Sequence, residues 1–274
     1  MDKRRFLKLV DSVMFFNEVD LLKARCAEHY DHVEKIFIIE SNKTHSNLDK
    51  PLYFKEHESE FIEWKDKIHH LICPNEKFIP CDWPHPQKSA HKNENIQRFF
   101  ALESGLMKTY DWALIADCDE IIKKAEFKQL KEWLENSDKC INRIKFELYY
   151  YFLNVKFNSE WNVARLFNLS RSINDIMSVW CKGTLSDTYD RIVGQHFSYL
   201  GGANKIQEKL KAFMHHREVQ AFHGLSHIQH AIDNMNDLFN RTSLGPLKVV
   251  ENKNGLPKYM QSNWDIYSKY YKGK

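Results

Sequence analysis

Short apolar runs alternate with amphipathic segments through the first 155 or so residues of the chain. Val10–Phe16 reads as a first strand, with Asp11 and Ser12 set inside an otherwise apolar run. Asn17 stands as an N-cap before the helical spacing of Leu21, Leu22, Arg25, Cys26, His29 and Tyr30. Lys35–Ser41 is a compact buried strand ending in polar residues. Strand, helix and strand fit within about 40 residues, the spacing of a βαβ unit. A polar loop over 42–52 leads to a helix over Phe54–Trp64 and a strand over Lys67–Cys73. Residues 74–90 hold four Pro and no clear period, so they read as a long loop. Asn93–Met107 is helical by the spacing of Ile96, Phe99, Phe100, Leu102 and Leu106. Trp112–Ala116 is a buried strand, Phe127–Leu134 a helix, and Ile144–Phe152 another strand.

This alternation predicts an α/β fold with a mostly parallel central sheet flanked by helices. Beyond residue 155 the pattern turns mixed: Gly183–Gly202 is loop- and strand-rich, while Ile206–Phe213 and Ile228–Phe239 are helical. No repeat or linker interrupts the chain. The expectation is one domain over residues 1–274, with halves of about 1–155 and 156–274 and an elaborated C-terminal half.

Composition narrows the partners. A net charge of +3 is too small for a nucleic-acid binder. No stretch reaches 18 uncharged apolar residues, so no transmembrane segment is expected. Lys8, Asp11, Asn17 and Glu18 interrupt the N-terminal apolar stretch, so no export signal is expected and the protein reads as cytoplasmic. The six scattered Cys are then reduced thiols rather than disulfides. The glycosylation sequons at Asn42, Asn168 and Asn240 matter only in a secretory compartment.

The strongest chemical signal is Asp117-Cys118-Asp119-Glu120, directly after a buried strand. Ligands bind at the carboxyl ends of strands in open α/β sheets. Two carboxylates at i and i+2 can approach one Mg²⁺ or Mn²⁺, which typically takes one or two carboxylates plus substrate phosphates. With 17 Asp in 274 residues, about one Asp-x-Asp arises by composition alone. Position decides between a metal–diphosphate site and a solvated turn, and it favours the site. Glu18 and Glu40 follow other strand ends and could touch the same ligand, although a helix start also favours a carboxylate at Glu18.

Further segments carry a family resemblance. Phe15-Phe16-Asn17-Glu18-Val19-Asp20-Leu21-Leu22 resembles the opening motif of glycosyltransferase family 17, which includes the β-1,4-mannosyl-glycoprotein 4-β-N-acetylglucosaminyltransferases. Phe37–Asn42 with Thr44, Lys50–Phe54, and Glu94 with Gln97-Arg98 are similar to later family segments in the same order. So are the acidic cluster, the stretch Gly194, His196, Phe197, Ser198, Tyr199, Gly201 and Gly202, and the pieces around Asp237–Arg241 and Leu256–Tyr259. Gln195 stands where the family usually has Trp, and Ile122 where it often has Pro.

The resemblance implies a GT-A-like fold, with residues 1–155 as the nucleotide-sugar half and 156–274 as the acceptor half. It implies an inverting transfer of a sugar, most simply from UDP-N-acetylglucosamine, to a glycan acceptor, assisted by Mn²⁺ or Mg²⁺. Asp117, Asp119 and His196 are then the metal candidates. Glu120, Glu18, Glu40, Ser41, Arg98, Lys209 and Arg241 join the two Asp as donor-binding candidates. The base is left open among Glu147, Glu160 and Asp187, with Glu160 favoured because Trp161 beside it could stack a sugar. A different nucleotide-sugar or nucleotidyl transferase and a non-catalytic carbohydrate-binding protein are the alternatives.

The histidine clusters carry less. His223, His227 and His230 have helical spacing for zinc, but Gly224 stands where a metalloprotease motif needs Glu. His69 and His70 on a strand point to opposite faces. One of His215 and His216 matches a family His at uncertain register.

Overall fold

The computed structural model describes residues 6–81, 86–171, 174–175, 186–212 and 224–273. The chain begins with β1 (Leu9–Met14), α1 (Val19–His29), β2 (Ile36–Glu40), α2 (Tyr53–His57) and β3 (Ile68–Ile72). It continues through α3 (Pro86–Glu103), β4 (Trp112–Asp117), β5 (Glu120–Ile122), α4 (Phe127–Glu135) and β6 (Ile141–Tyr150). Then come β7 (Val155–Trp161), β8 (Arg165–Asn168), β9 (Ser186–Ser198), α5 (Gly202–Ala212), α6 (Leu225–Asp233) and the short β10 (Lys248–Val249).

Among the described residues the strands form one ten-stranded sheet with main path β10-β7-β6-β8-β4-β1-β2-β3. The portion β3-β2-β1-β4 is parallel. β8 joins β4 antiparallel, and β6 joins β8 antiparallel. β9 runs parallel along β6 and carries β5 antiparallel on its other edge. The α/β architecture is the expected one, but the sheet is parallel only over its first four strands and along β6–β9.

Burial on both faces explains the near-continuous apolar strands. Leu9 and Val13 of β1, Ile36 and Ile38 of β2, and Leu114 of β4 pack on one face with Leu21 and Leu22 of α1. Their sequence neighbours Val10, Phe37, Ile39 and Ile115 pack on the other face with Phe99 and Leu102 of α3. A third cluster joins Leu148, Tyr150 and Val155 to Ile206 and Leu210 of α5 and Ile228 of α6.

Several boundaries differ from the pattern-based expectation, among them β6, which runs Ile141–Tyr150 rather than Ile144–Phe152. α2 stops at His57 and continues as a 3₁₀ segment over Glu58–Trp64 with a kink at Phe61. Three-residue spacing lets Phe61 and Trp64 share a side, and Phe61 packs 5.1 Å from the Phe54 ring. α3 starts at Pro86, seven residues before Asn93, because a proline is tolerated in the first helical turn. α6 ends at Asp233 rather than Phe239. The cap of α1 is Glu18, not Asn17, and it makes no side-chain capping bond because its carboxylate turns to Lys209.

Candidate active site

β4 ends at Asp117 and β5 begins at Glu120, so the acidic cluster is the turn between them. Phe197 N–H donates to the Asp119 carbonyl at 2.8 Å, tying the turn to β9. After β9 the chain reverses through Tyr199, Gly201 and Gly202, all at positive φ (58°, 102° and 79°). Glycine takes that conformation without steric cost. The reversal sends α5 back over the turn, and Lys209 Nζ donates to Asp119 Oδ2 at 2.9 Å. The same ammonium lies 2.9 Å from Glu18 Oε1 at the start of α1.

His196 Nε2 lies 3.3 Å from Asp119 Oδ1, too poorly aligned for a hydrogen bond. Arg98 of α3 donates to Glu94 Oε1 at 2.6 Å and places Nη2 3.0 Å from Asp117 Oδ1. Glu120 Oε2 accepts from Asp117 N–H at 2.8 Å, and Oε1 accepts from the Trp161 indole N–H. The Trp161 ring packs tilted at 40° against His196, with centroids 4.6 Å apart.

These contacts set the protonation states. Burial alone would raise the Asp119 carboxyl, but Lys209 and His196 hold it far below the usual carboxylate range. Burial opposes charge on His196, yet the Asp119 carboxylate outweighs it and raises the imidazole pKa. Lys209 is likewise raised against its burial by Asp119 and Glu18. Burial, with Asp117 beside it, pushes Glu120 up to about 7.

A cavity of about 110 Å³ opens in front of the turn. Asp117, Asp119, Glu18 and Lys209 line one side, and Glu94, Gln97, His45 and Lys50 another. A smaller cavity, about 40 Å³, shares Glu18 and Lys209 as its wall and is otherwise lined by Asn17, Phe197, Tyr199 and Tyr270.

Seven expected site residues therefore converge: Glu18, Arg98, Asp117, Asp119, Glu120, His196 and Lys209. Others are placed elsewhere. Glu40 is fully buried and accepts from Phe54 N–H at 3.1 Å, with His70 Nε2 3.1 Å away, so it anchors α2 instead of a donor. Ser41 donates to Asn75 Oδ1 and accepts from Lys43 N–H, closing its own loop. Arg241 is paired with Asp237 at 2.6 Å against the Tyr150 and Phe239 rings.

None of the three base candidates reaches the turn. Adjacent strand residues point to opposite faces, so Gln195 points away from His196. Gln195 donates to Glu147, and Lys156 pairs with Glu147 at 2.7 Å in a groove on that far face. Glu160 is the cross-strand partner of Glu147 and pairs with Lys145 at 3.2 Å, while Trp161 beside it points to the site. Asp187 is exposed, nine residues before His196 on β9, or roughly 30 Å along the strand.

Of the histidines, His69 lies against Phe37 on the face opposite His70. His227 Nε2 lies 3.3 Å from the Leu238 carbonyl, while His215, His216 and His223 are outside the described residues. Glu94, Gln97 and His45 were not expected at the site. The signal was there for two of them, since Glu94 lies one helical turn before both Gln97 and Arg98. His45, whose Nε2 is 3.2 Å from Gln97 Oε1, sits between matched residues and carried no signal of its own.

Among the described residues no group of three or more His, Cys, Asp or Glu side chains is arranged to hold a metal ion. Asp117 Oδ1 and Asp119 Oδ1 are nonetheless buried without a hydrogen-bond partner, as is His196 Nδ1. Those oxygens are ion-paired to Arg98 and His196, and two carboxylates are the number a hard cation takes when substrate phosphates complete its shell. No helix among the described residues is long and apolar enough to cross a membrane. No curated protein matches the chain. The profile of glycosyltransferase family 17 matches residues 1–263, from before β1 through the Asp119 turn to the far side of α6. With so nearly the whole chain matched, the protein belongs to glycosyltransferase family 17 and is a glycosyltransferase.

Proposed function

We propose that the enzyme transfers a sugar from a nucleotide diphosphate to a glycan hydroxyl with inversion, UDP-N-acetylglucosamine being the donor that the family resemblance implies. The observation that carries this reading is the pair of carboxylates Asp117 and Asp119 at the carboxyl end of a parallel strand, each with a buried oxygen that is ion-paired but not hydrogen-bonded, beside Lys209 and Arg98. Asp117 and Asp119 would hold Mn²⁺ or Mg²⁺ together with substrate phosphates, while His196, raised by Asp119, stands beside them as a cation rather than a ligand. Such an ion, when bound, offsets charge on the departing diphosphate.

The chain's own cations complete that task. Lys209 and Arg98 flank the carboxylates and are positioned to contact phosphate oxygens. Trp161 and the Asp117 amide hold Glu120 behind the turn, away from the cavity. Of the carboxylates at the pocket, Glu18 lines both cavities, and we assign it the acceptor proton. Once Lys209 turns to a diphosphate, Glu18 is freed to act as a base.

The test is a product assay with UDP-N-acetylglucosamine, Mn²⁺ and a mannose-terminated acceptor panel, paired with calorimetric UDP binding. Glu18→Gln should bind UDP normally and lose turnover. A folded enzyme that binds neither UDP nor Mn²⁺ overturns the reading.

A further inference from the structure

Beneath the acidic turn lies a buried group that the proposed chemistry does not use. Asp11 of β1 and Arg25 and His29 of α1 are all fully buried. Arg25 donates to both oxygens of Asp11, Nε at 2.9 Å and Nη2 at 2.6 Å. Its remaining nitrogen, Nη1, reaches past the pair to the turn. It donates to the Asp117 carbonyl at 2.7 Å and to the Glu120 carbonyl at 2.6 Å. His29 Nδ1 lies 2.7 Å from Asp11 Oδ2, and its Nε2 accepts from Ile122 N–H at 3.1 Å. An acceptor Nε2 needs a lone pair, so His29 is neutral and donates Nδ1–H to Asp11. Burial lowers the His29 pKa in the same direction.

We infer that Arg25, with His29, is the positioning residue that sets the spacing of Asp117 and Asp119 by holding the main chain on both sides of the turn. Three main-chain groups, at 117, 120 and 122, are fastened by two side chains that share one carboxylate. A buried ion pair is a poor source of stability compared with apolar packing. Its geometry here does something apolar packing could not: a planar guanidinium engages both oxygens of Asp11 and still aims one nitrogen at two carbonyls. Lysine could keep the charge but not both sets of contacts. The functional consequence rests on the donor and metal reading above, whereas the clamp itself concerns the turn alone.

The first experiment therefore needs no ligand. Amide hydrogen exchange is compared between wild type, Arg25→Lys and His29→Ala, for the segment 117–122 and for β2 as an internal reference. In Arg25→Lys the turn amides should exchange at least about tenfold faster while β2 is unchanged. His29→Ala should release the Ile122 amide in the same selective way, and His29→Gln, whose amide can both donate and accept, should restore it. Exchange that is unchanged in the turn, or raised equally in turn and β2, overturns the inference. Should Arg25→Lys fail to fold, the two His29 variants carry the same expectation and the same overturning result.

The second readout is kinetic. Arg25→Lys should lower kcat and weaken Mn²⁺·UDP binding about tenfold or more, with the acceptor KM unmoved. If wild type itself binds no Mn²⁺·UDP, the donor reading fails while the exchange result still decides the clamp.

Discussion

Gly194→Ala should damage both stability and the active site, for a reason visible in one distance. Gly194 of β9 pairs with Ile122 of β5. A Cβ at position 194 would sit 2.0 Å from the Ile121 carbonyl oxygen, 2.8 Å from its carbon and 2.9 Å from Ile122 Cα. All three are backbone atoms, so no flexible side chain can move aside. Real Cβ contacts begin near 3.0 Å, and the two strands must part by about 1 Å. Overpacking of this kind costs about 1–3 kcal/mol. Strained or lost β5–β9 hydrogen bonds add about 1 kcal/mol each. β5 has only three residues and cannot spread the movement. A total of about 2–4 kcal/mol corresponds to a melting temperature lower by roughly 5–15 °C at this chain length. The displaced strand begins with Glu120 and ends the turn that carries Asp119, so Mn²⁺·UDP affinity should fall with it. Gly255→Ala is the control, since the nearest atom to its added Cβ is 4.0 Å away. Differential scanning calorimetry and UDP titration measure the two effects. A Gly194→Ala enzyme that melts within about 2 °C of wild type and binds UDP equally well would refute the steric argument.

Asp119→Asn should keep the fold and reduce turnover by about 100-fold or more, as loss of a charged transition-state contact does; turnover within about threefold of wild type contradicts the assignment. Glu147→Gln and Glu160→Gln, on the far face of the sheet, should each leave turnover within about threefold of wild type, and loss of activity in either would return it to the list of bases. UDP should bind more weakly without Mn²⁺, and Mn²⁺ more weakly without UDP by the same factor, because binding linkage is reciprocal; calorimetric titrations in both orders test this. Burial holds His29, His32 and His45 below the ordinary histidine value of 6.5. The unfolded chain then binds protons that the folded chain refuses, so their contribution is complete above about pH 6.5 and is lost as pH falls through the folded values. His196, held high by Asp119 against its burial, and Glu120, pushed up to about 7 by burial, act in the opposite sense, losing their contributions as pH rises. From pH 7 to pH 5 the melting temperature of Glu120→Gln should therefore drop further, or rise less, than that of wild type, and parallel profiles would contradict this balance.

The strands and the acidic turn were legible because burial on both faces leaves a strong local signature. Ile36–Glu40 and Trp112–Asp117 are uninterrupted apolar runs that stop at carboxylates. The site's cations were found through matched segments rather than through pattern, since nothing in the spacing of Lys209 says that the turn at Gly201-Gly202 folds α5 back onto Asp119. Two of the base candidates lie off the cavity for a reason of parity. Glu147 and Glu160 lie close in sequence to residues that do face the site, but each is one residue out of phase with them, and a single step along a strand exchanges faces. Glu40 was misplaced by the opposite route. It does end a parallel strand, yet its side chain is consumed by the Phe54 amide, Lys50 and His70. Asp11, the one acid inside the first strand, gave no sequence signal beyond an interruption in an apolar run, because its partners Arg25 and His29 lie on the covering helix.

On the proposed reading, the charges around the cavity favour a cation and a diphosphate entering together. Glu18, Glu94, Asp117 and Asp119 place four carboxylates at the site, against Lys209, Arg98 and the raised imidazole of His196. The cations present are already shared: Lys209 spans Glu18 and Asp119, and Arg98 spans Glu94 and Asp117. A bare diphosphate entering this cavity would meet carboxylates whose counter-charges are engaged, and close like charges cost several kcal/mol in a poorly solvated pocket. A divalent cation alone would meet two oxygens and otherwise water. Together they complement each other, because the ion supplies the missing positive charge and the phosphates supply the missing ligands. Lys209 can then exchange a carboxylate for a phosphate oxygen without losing its charge partner, which frees Glu18 only when donor is bound. Acceptor activation on this account waits for the donor, and the empty site keeps its base paired and quiet.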